Sequence, residues 1–158
     1  MRTAKYMILG LLFTSTVMLG SCKKCTVADE SSDTGLIIPD VVIYPGAGYM
    51  TGEMNGYYLV DGNSPFADKF QVSFDGGITK EDVDWSIYDI LANPMTVDCK
   101  ASFIREVNFD YVLDQVFYNV IATTCESCEN PRFVENYVLI PKVPTGFTVY
   151  FDTEIRMN

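Results

Sequence analysis

The sequence contains no histidine and a single tryptophan, and its 11 Lys and Arg are outnumbered by 21 Asp and Glu. Without histidine there is no Ser-His-Asp or Cys-His nucleophile pair, and no His-ligated metal site. A net charge of −10 argues against nucleic acid as a partner, because phosphate binding needs clustered Lys and Arg. The nearly continuous apolar stretch from Tyr6 to Leu19 falls short of the roughly 20 residues that a membrane-spanning helix requires. No stretch carries a catalytic signature, so no enzymatic activity, cofactor or metal is expected. What is present is ample core material, with 48% apolar and 13% aromatic residues in 158 positions. That composition is not one of disorder, and the length suits one domain.

The N-terminus is organised as an export signal. Arg2 and Lys5 precede the apolar run, as in a secretory signal peptide. The run ends in Leu19-Gly20-Ser21-Cys22, which resembles the lipobox of bacterial lipoprotein precursors. The resemblance implies acylation of the Cys22 thiol with a diacylglyceryl group and cleavage before it, followed by N-acylation, with palmitate-type chains. Two or more acyl chains give stable membrane attachment where one is marginal. On this reading residues 1–21 are a signal peptide, and the mature chain is Cys22 to Asn158. Loss of Arg2 and Lys5 takes the charge from −10 to −12. Residues 22–35 are small and polar and read as a flexible tether. Their acidic residues Asp29, Glu30 and Asp33 resemble the stretch that follows the lipidated Cys in surface-exported lipoproteins of the Bacteroidetes type. Lys23 follows Cys22, so the aspartate that retains some lipoproteins at the inner membrane is missing. The implied address is the outer membrane, periplasmic or surface-facing.

Residues 36–158 are expected to form one β-rich domain. Short segments rich in β-branched and aromatic residues are separated by Gly, Pro, Asn and Asp, which is strand-and-turn patterning. Strands are expected at 36–44, 57–60, 70–74, 95–107, 133–140 and 147–156, with turns at 61–65 and 75–77. Residues 109–123 are read as strand from their aromatic and β-branched content, although their apolar spacing also fits a helical face. One helix is expected near 80–91: Thr79 with Glu81 and Asp82 resembles a capped start, Val83, Ile87, Ile90 and Leu91 share a helical face, and Asn93-Pro94 stops it. The class is mainly β, a β-sandwich for which an immunoglobulin-like arrangement is one form, with that one helix.

With Cys22 acylated, Cys25, Cys99, Cys125 and Cys128 remain as disulfide candidates. Glu126 and Glu129 flank Cys125 and Cys128. Negative charge raises a thiol pKa, so this pair reads as a structural bridge rather than a redox centre. Trp85, Tyr57 and Tyr58 are candidate binding residues, as interface anchors or a sugar-stacking platform, with core packing as the default. Asp75, Asp82 and Asp84 are the carboxylates closest in sequence to a calcium site, against a default of a solvated acidic surface. The expected role is a binding or structural component of a cell-envelope assembly, attached to the membrane by its lipid and contacting an envelope protein. A carbohydrate-binding surface module for nutrient capture is the alternative, with a glycan as ligand.

Overall fold

The computed structural model describes residues 31–46, 58–97, 100–124 and 131–157, and strands account for most of these described residues. In chain order they are β1 (Ser32–Gly35), β2 (Val42–Pro45), β3 (Tyr58–Val60), β4 (Phe70–Ser73), β5 (Glu81–Asp82), β6 (Tyr88–Ala92), β7 (Met95–Val97), β8 (Ala101–Asp110), β9 (Gln115–Thr124), β10 (Arg132–Val134), β11 (Tyr137–Pro141) and β12 (Thr148–Met157). The long hairpin β8–β9 is the centre of a four-stranded sheet, β1-β8-β9-β12. Its two outer strands run parallel to their neighbours, β1 on β8 and β12 on β9. These parallel edges depart from the antiparallel sheets of an immunoglobulin domain. Two antiparallel three-stranded sheets follow, β11-β6-β3 and β2-β4-β5, with a two-stranded ladder β10-β7.

The sheets stack as layers. Alternate residues of β9, namely Val116, Tyr118, Val120 and Ala122, are buried together with Phe103 and Val107 of β8. Opposite them lie Leu91 of β6 and Val138 and Ile140 of β11. The other face of that middle sheet presents Ile90, Ala92 and Leu139 to Phe70 and Val72 of β4, with Val60 and Val83. Strands β6 and β11 are therefore covered on both faces, which requires consecutive apolar residues rather than alternation. A mainly β sandwich of stacked sheets is what the composition led one to expect.

The helix expected near 80–91 is absent. Glu81 and Asp82 form β5, Asp84 starts a turn whose carbonyl accepts the Ile87 and Tyr88 amides at 3.1 and 3.0 Å, and β6 follows. Spacing of Val83, Ile90 and Leu91 mimicked a helical face because Ile90 and Leu91 are buried on opposite faces of one strand. The segment 109–123 is strand, as read, but it is interrupted by a turn at 111–114 that separates β8 from β9. The stretch 133–140 is likewise divided, at Glu135-Asn136, where Asn136 takes φ 44°. Ser32–Gly35, assigned to the tether, forms β1 in register with Ile104–Val107. It ends at Gly35 with φ 76°, where a Cβ would collide with the Val107 carbonyl, so only glycine lets the chain pass there.

Candidate interaction surfaces

The β8–β9 hairpin ends in an apolar tip. Tyr111, Val112 and Leu113 are 68%, 91% and 61% exposed. Their backbone is fixed from both sides. Asp110 Oδ1 accepts the Val112 and Leu113 amides at 2.8 and 3.0 Å, and Asp114 takes φ 53° to return the chain. Asp suits both tasks, since its carboxylate closes a local turn and it tolerates the left-handed region. The Asp114 carbonyl then accepts the Thr148 amide at 3.0 Å, tying the tip to the start of β12. Behind it, the rings of Phe109, Tyr111 and Phe147 meet pairwise at 5.7–6.1 Å. The tip is thus a braced projection, with three consecutive apolar side chains and a carboxylate on each flank.

Along the same sheet runs the edge strand β12. Val149 and Phe151 pack toward the core, while Tyr150 on the other face stacks on Phe117 at 5.6 Å. Further on, the Arg156 guanidinium donates to both Glu154 carboxylate oxygens, at 2.7 and 2.8 Å. This pair lowers the Glu154 pKa and raises that of Arg156. Ile155 and Met157 are 53% and 76% exposed.

The tryptophan singled out from sequence lies elsewhere. Trp85 is half-buried against the second core and lines a cleft of about 320 Å³ with Ala67, Asp68, Phe70, Asp82 and Val83. Tyr58 packs on the same core but does not line that cleft. Tyr57 lies outside the described residues, as do Cys22, Cys25, Cys99, Cys125 and Cys128. The acidic candidates do not converge. Asp75 Oδ1 accepts from Ser73 Oγ, Ile78 N and Thr79 N, and these bonds hold its pKa well below the carboxylate range. Asp84 accepts from the Ser86 hydroxyl and amide, which lower its pKa, and Asp82 from Gln71. Each carboxylate closes a turn or bridges strands, and among the described residues no group of three metal-ligating side chains forms.

Two buried polar groups are structural. Asp89 is pushed above the usual carboxylate pKa by burial, against the opposing effect of Lys142 Nζ at 2.7 Å and the Val143 amide at 2.8 Å. It pins the connector that leaves β11. Asn136 joins the layers: Tyr118 Oη donates to its carbonyl at 2.6 Å, Arg105 Nε donates to its Oδ1 at 3.1 Å, and its Nδ2 donates to the Asn93 carbonyl at 3.2 Å. The residues that sequence reasoning missed as surface features are Tyr111, Val112 and Leu113. Their signal was the pair Asp110 and Asp114 bracketing an apolar trio. Compared with known proteins, the chain matches no family profile, no curated protein and no solved structure.

Proposed function

We propose that this chain is a lipid-anchored outer-membrane lipoprotein that acts as a binding or structural component of a cell-envelope assembly, with the β8–β9 tip as its contact. The observation that carries the reading is the braced apolar tip. Monomeric proteins seldom expose contiguous apolar surface without a use for it. Its position supports a protein partner over the anchoring membrane. The described chain enters the sheet at Ser32, beside Ile104, and the tip begins at Tyr111. At about 3.3 Å per residue along β8 these points are roughly 23 Å apart. The described chain thus enters the sheet well away from the tip. Asp110 and Asp114 flank the tip, so the partner surface that fits is an apolar pocket rimmed by Lys or Arg.

The test is co-purification from the native membrane in mild detergent. The double variant Val112→Asp, Leu113→Asp is expected to lose the envelope partners recovered by the unaltered chain. Its thermal midpoint should stay unchanged, since substitutions at such exposed positions cost about 0.5 kcal/mol or less. Equal recovery by the variant would exclude the tip as the contact. Recovery of the lipoprotein alone by the unaltered chain would overturn the assembly reading.

The Trp85 cleft favours one second reading, glycan binding, because an aromatic face with flanking carboxylates suits a sugar's apolar face and hydroxyls. Trp85 is the chain's sole indole, so a glycan seated there should shift its fluorescence emission. Unchanged emission across a panel of neutral oligosaccharides removes that reading.

A further inference from the structure

Strand β12 is ten residues long and, among the described residues, is the outermost strand of its sheet. Its ladder to β9 runs unbroken from Thr148↔Gln115 to Met157↔Thr124. It contains none of the usual devices that blunt an edge by shape, since Pro and Gly are absent between Thr148 and Met157. The Thr148 amide is spent toward β9, on the Asp114 carbonyl. Alternation along the strand then turns the backbone groups of Thr153, Ile155 and Met157 outward. Only the first of these is covered: the Asp152 carboxylate accepts the Thr153 amide at 2.9 Å. Among the described residues, Ile155 and Met157 have no such cap. Their side chains are also the most exposed apolar ones of the strand, ahead of Tyr150. The open part of the edge is therefore its C-terminal half.

From these observations we infer that β12 pairs antiparallel with β12 of a second copy of this chain, about a two-fold axis at Ile155, to give a continuous eight-stranded sheet. The charge pattern selects the register. Centred on Ile155, the pairing sets Glu154 opposite Arg156 of the second copy and Arg156 opposite its Glu154. Centred on Thr153, it would set Asp152 against Glu154, which is repulsive. The Ile155 register also places the two Ile155 side chains against each other and covers Met157 with Thr153 of the second copy. Such an isologous contact closes on itself and does not propagate into fibres. A ladder this short is below the roughly 1,000 Å² of a strong interface, so the pairing is weak in solution. Confinement of both copies to one membrane plane raises their effective concentration. The inference deepens the assembly reading by naming self-pairing as one of its contacts, yet its test contains no other protein.

The full chain, purified in a density-matched mild detergent, is examined by sedimentation equilibrium over a wide concentration range. A monomer–dimer equilibrium is expected. Arg156→Glu and Glu154→Arg should each weaken the dimer about tenfold, because two attractive cross-strand pairs become repulsive. The combined Glu154→Arg, Arg156→Glu chain should dimerise like the unaltered one. Ile155→Pro removes the two central outward N–H groups while leaving the ladder to β9 intact, as an edge position permits. It is expected to be monomeric with a nearly unchanged thermal midpoint. A strictly monomeric unaltered chain at the highest concentrations, dimerisation of Ile155→Pro, or failure of the charge swap to restore the dimer overturns the proposal. None of these variants touches the β8–β9 tip. Loss of self-pairing and loss of an envelope partner are thus separate results.

Discussion

Asn136→Ala is expected to lower the unfolding free energy by about 2–4 kcal/mol, measured by chemical denaturation. Three things are lost together. The side chain stops accepting from Arg105 Nε and stops donating to the Asn93 carbonyl, and alanine disfavours the φ of 44° that Asn136 adopts. Asn93 is itself a bridge, since its Nδ2 donates to the Asp152 carbonyl and to Thr153 Oγ1 at 3.2 and 3.0 Å. The path from β8 through Asn136 and Asn93 to β12 links the four-stranded sheet to the middle layer by polar contacts, beside the apolar ones. Asn136→Gly separates the causes: it restores backbone freedom and should recover part of the loss, leaving the missing hydrogen bonds. Tyr118→Phe removes the donor to the Asn136 carbonyl in a fully buried position and should cost about 1–3 kcal/mol. Burial pushes the Tyr118 phenol far above its ordinary pKa, so the folded state holds that proton where the unfolded chain releases it. Its contribution is complete below about pH 10 and is lost as pH rises through the folded value. An Asn136→Ala chain within about 0.5 kcal/mol of the unaltered one would show that apolar packing alone joins the layers.

The outer layers were legible in the sequence; of the middle layer, β3 and β11 fall within segments read as strand and β6 does not. Phe70, Val72 and the alternate Gln71 read as a half-buried strand, and β4 is one. Asp75-Gly76-Gly77 read as a turn, and Gly76 and Gly77 take φ of 74° and 95°. These elements have one wet face, so a period of two survives in the sequence. Strand β6 has none. Burial on both sides erases alternation, and the residues Val83, Ile87, Ile90 and Leu91 satisfy a helical template equally well. The polar groups that suggested a helix cap have other roles: Thr79 donates its amide to Asp75, and Glu81 and Asp82 form β5, where Asp82 accepts from Gln71 of β4. Only knowledge that a second sheet covers Leu91 while β4 covers Ile90 would have decided the matter, and that is tertiary information.

The candidate site shows a different kind of limit. Aromatics were visible as a surplus, but sequence alone does not say which rings face water. Trp85 and Tyr58, singled out for their chemistry, are largely spent on the second core. Tyr111, Val112 and Leu113 looked like core material continuous with Val116 and Val120. The turn between them has neither Gly nor Pro. It is made instead by two aspartates, through a side-chain cap and a left-handed backbone, a weaker mark in a chain with many acidic residues. For the cysteines, the described ladders add one spatial fact. Val97 lies opposite Arg132 and Ala101 opposite Thr124, so the two stretches of chain that carry Cys99 and the Cys125/Cys128 pair are flanked by strands paired to one another. Cys99, Cys125 and Cys128 themselves lie outside the described residues.

Cys22→Ser should leave the precursor without acyl mass and uncut before residue 22, in place of a lipidated chain that starts at Cys22. Intact-mass spectrometry and membrane fractionation provide the readout. The effect is all-or-none because serine offers no thiolate for acylation, and in this kind of precursor cleavage follows acylation. Each buried methylene of an acyl chain contributes about 0.8 kcal/mol to membrane attachment, and two or more chains make it stable. Without them the uncut apolar run from Tyr6 to Leu19 remains as the membrane contact, and the protein should fractionate with the inner membrane. Normal cleavage with outer-membrane fractionation of the variant would overturn the lipobox reading and, with it, the assigned address. Paired with the tip variant, this substitution separates address from contact. Val112→Asp, Leu113→Asp should reach the outer membrane and find no partner there. Cys22→Ser should keep an intact tip, since residues 31–157 carry every contact that braces it, and fail to meet the partner because it stops at the wrong membrane. If Cys22→Ser recovers the partner as well as the unaltered chain does, the contact forms without the anchor, and the assembly must be sought away from the outer membrane.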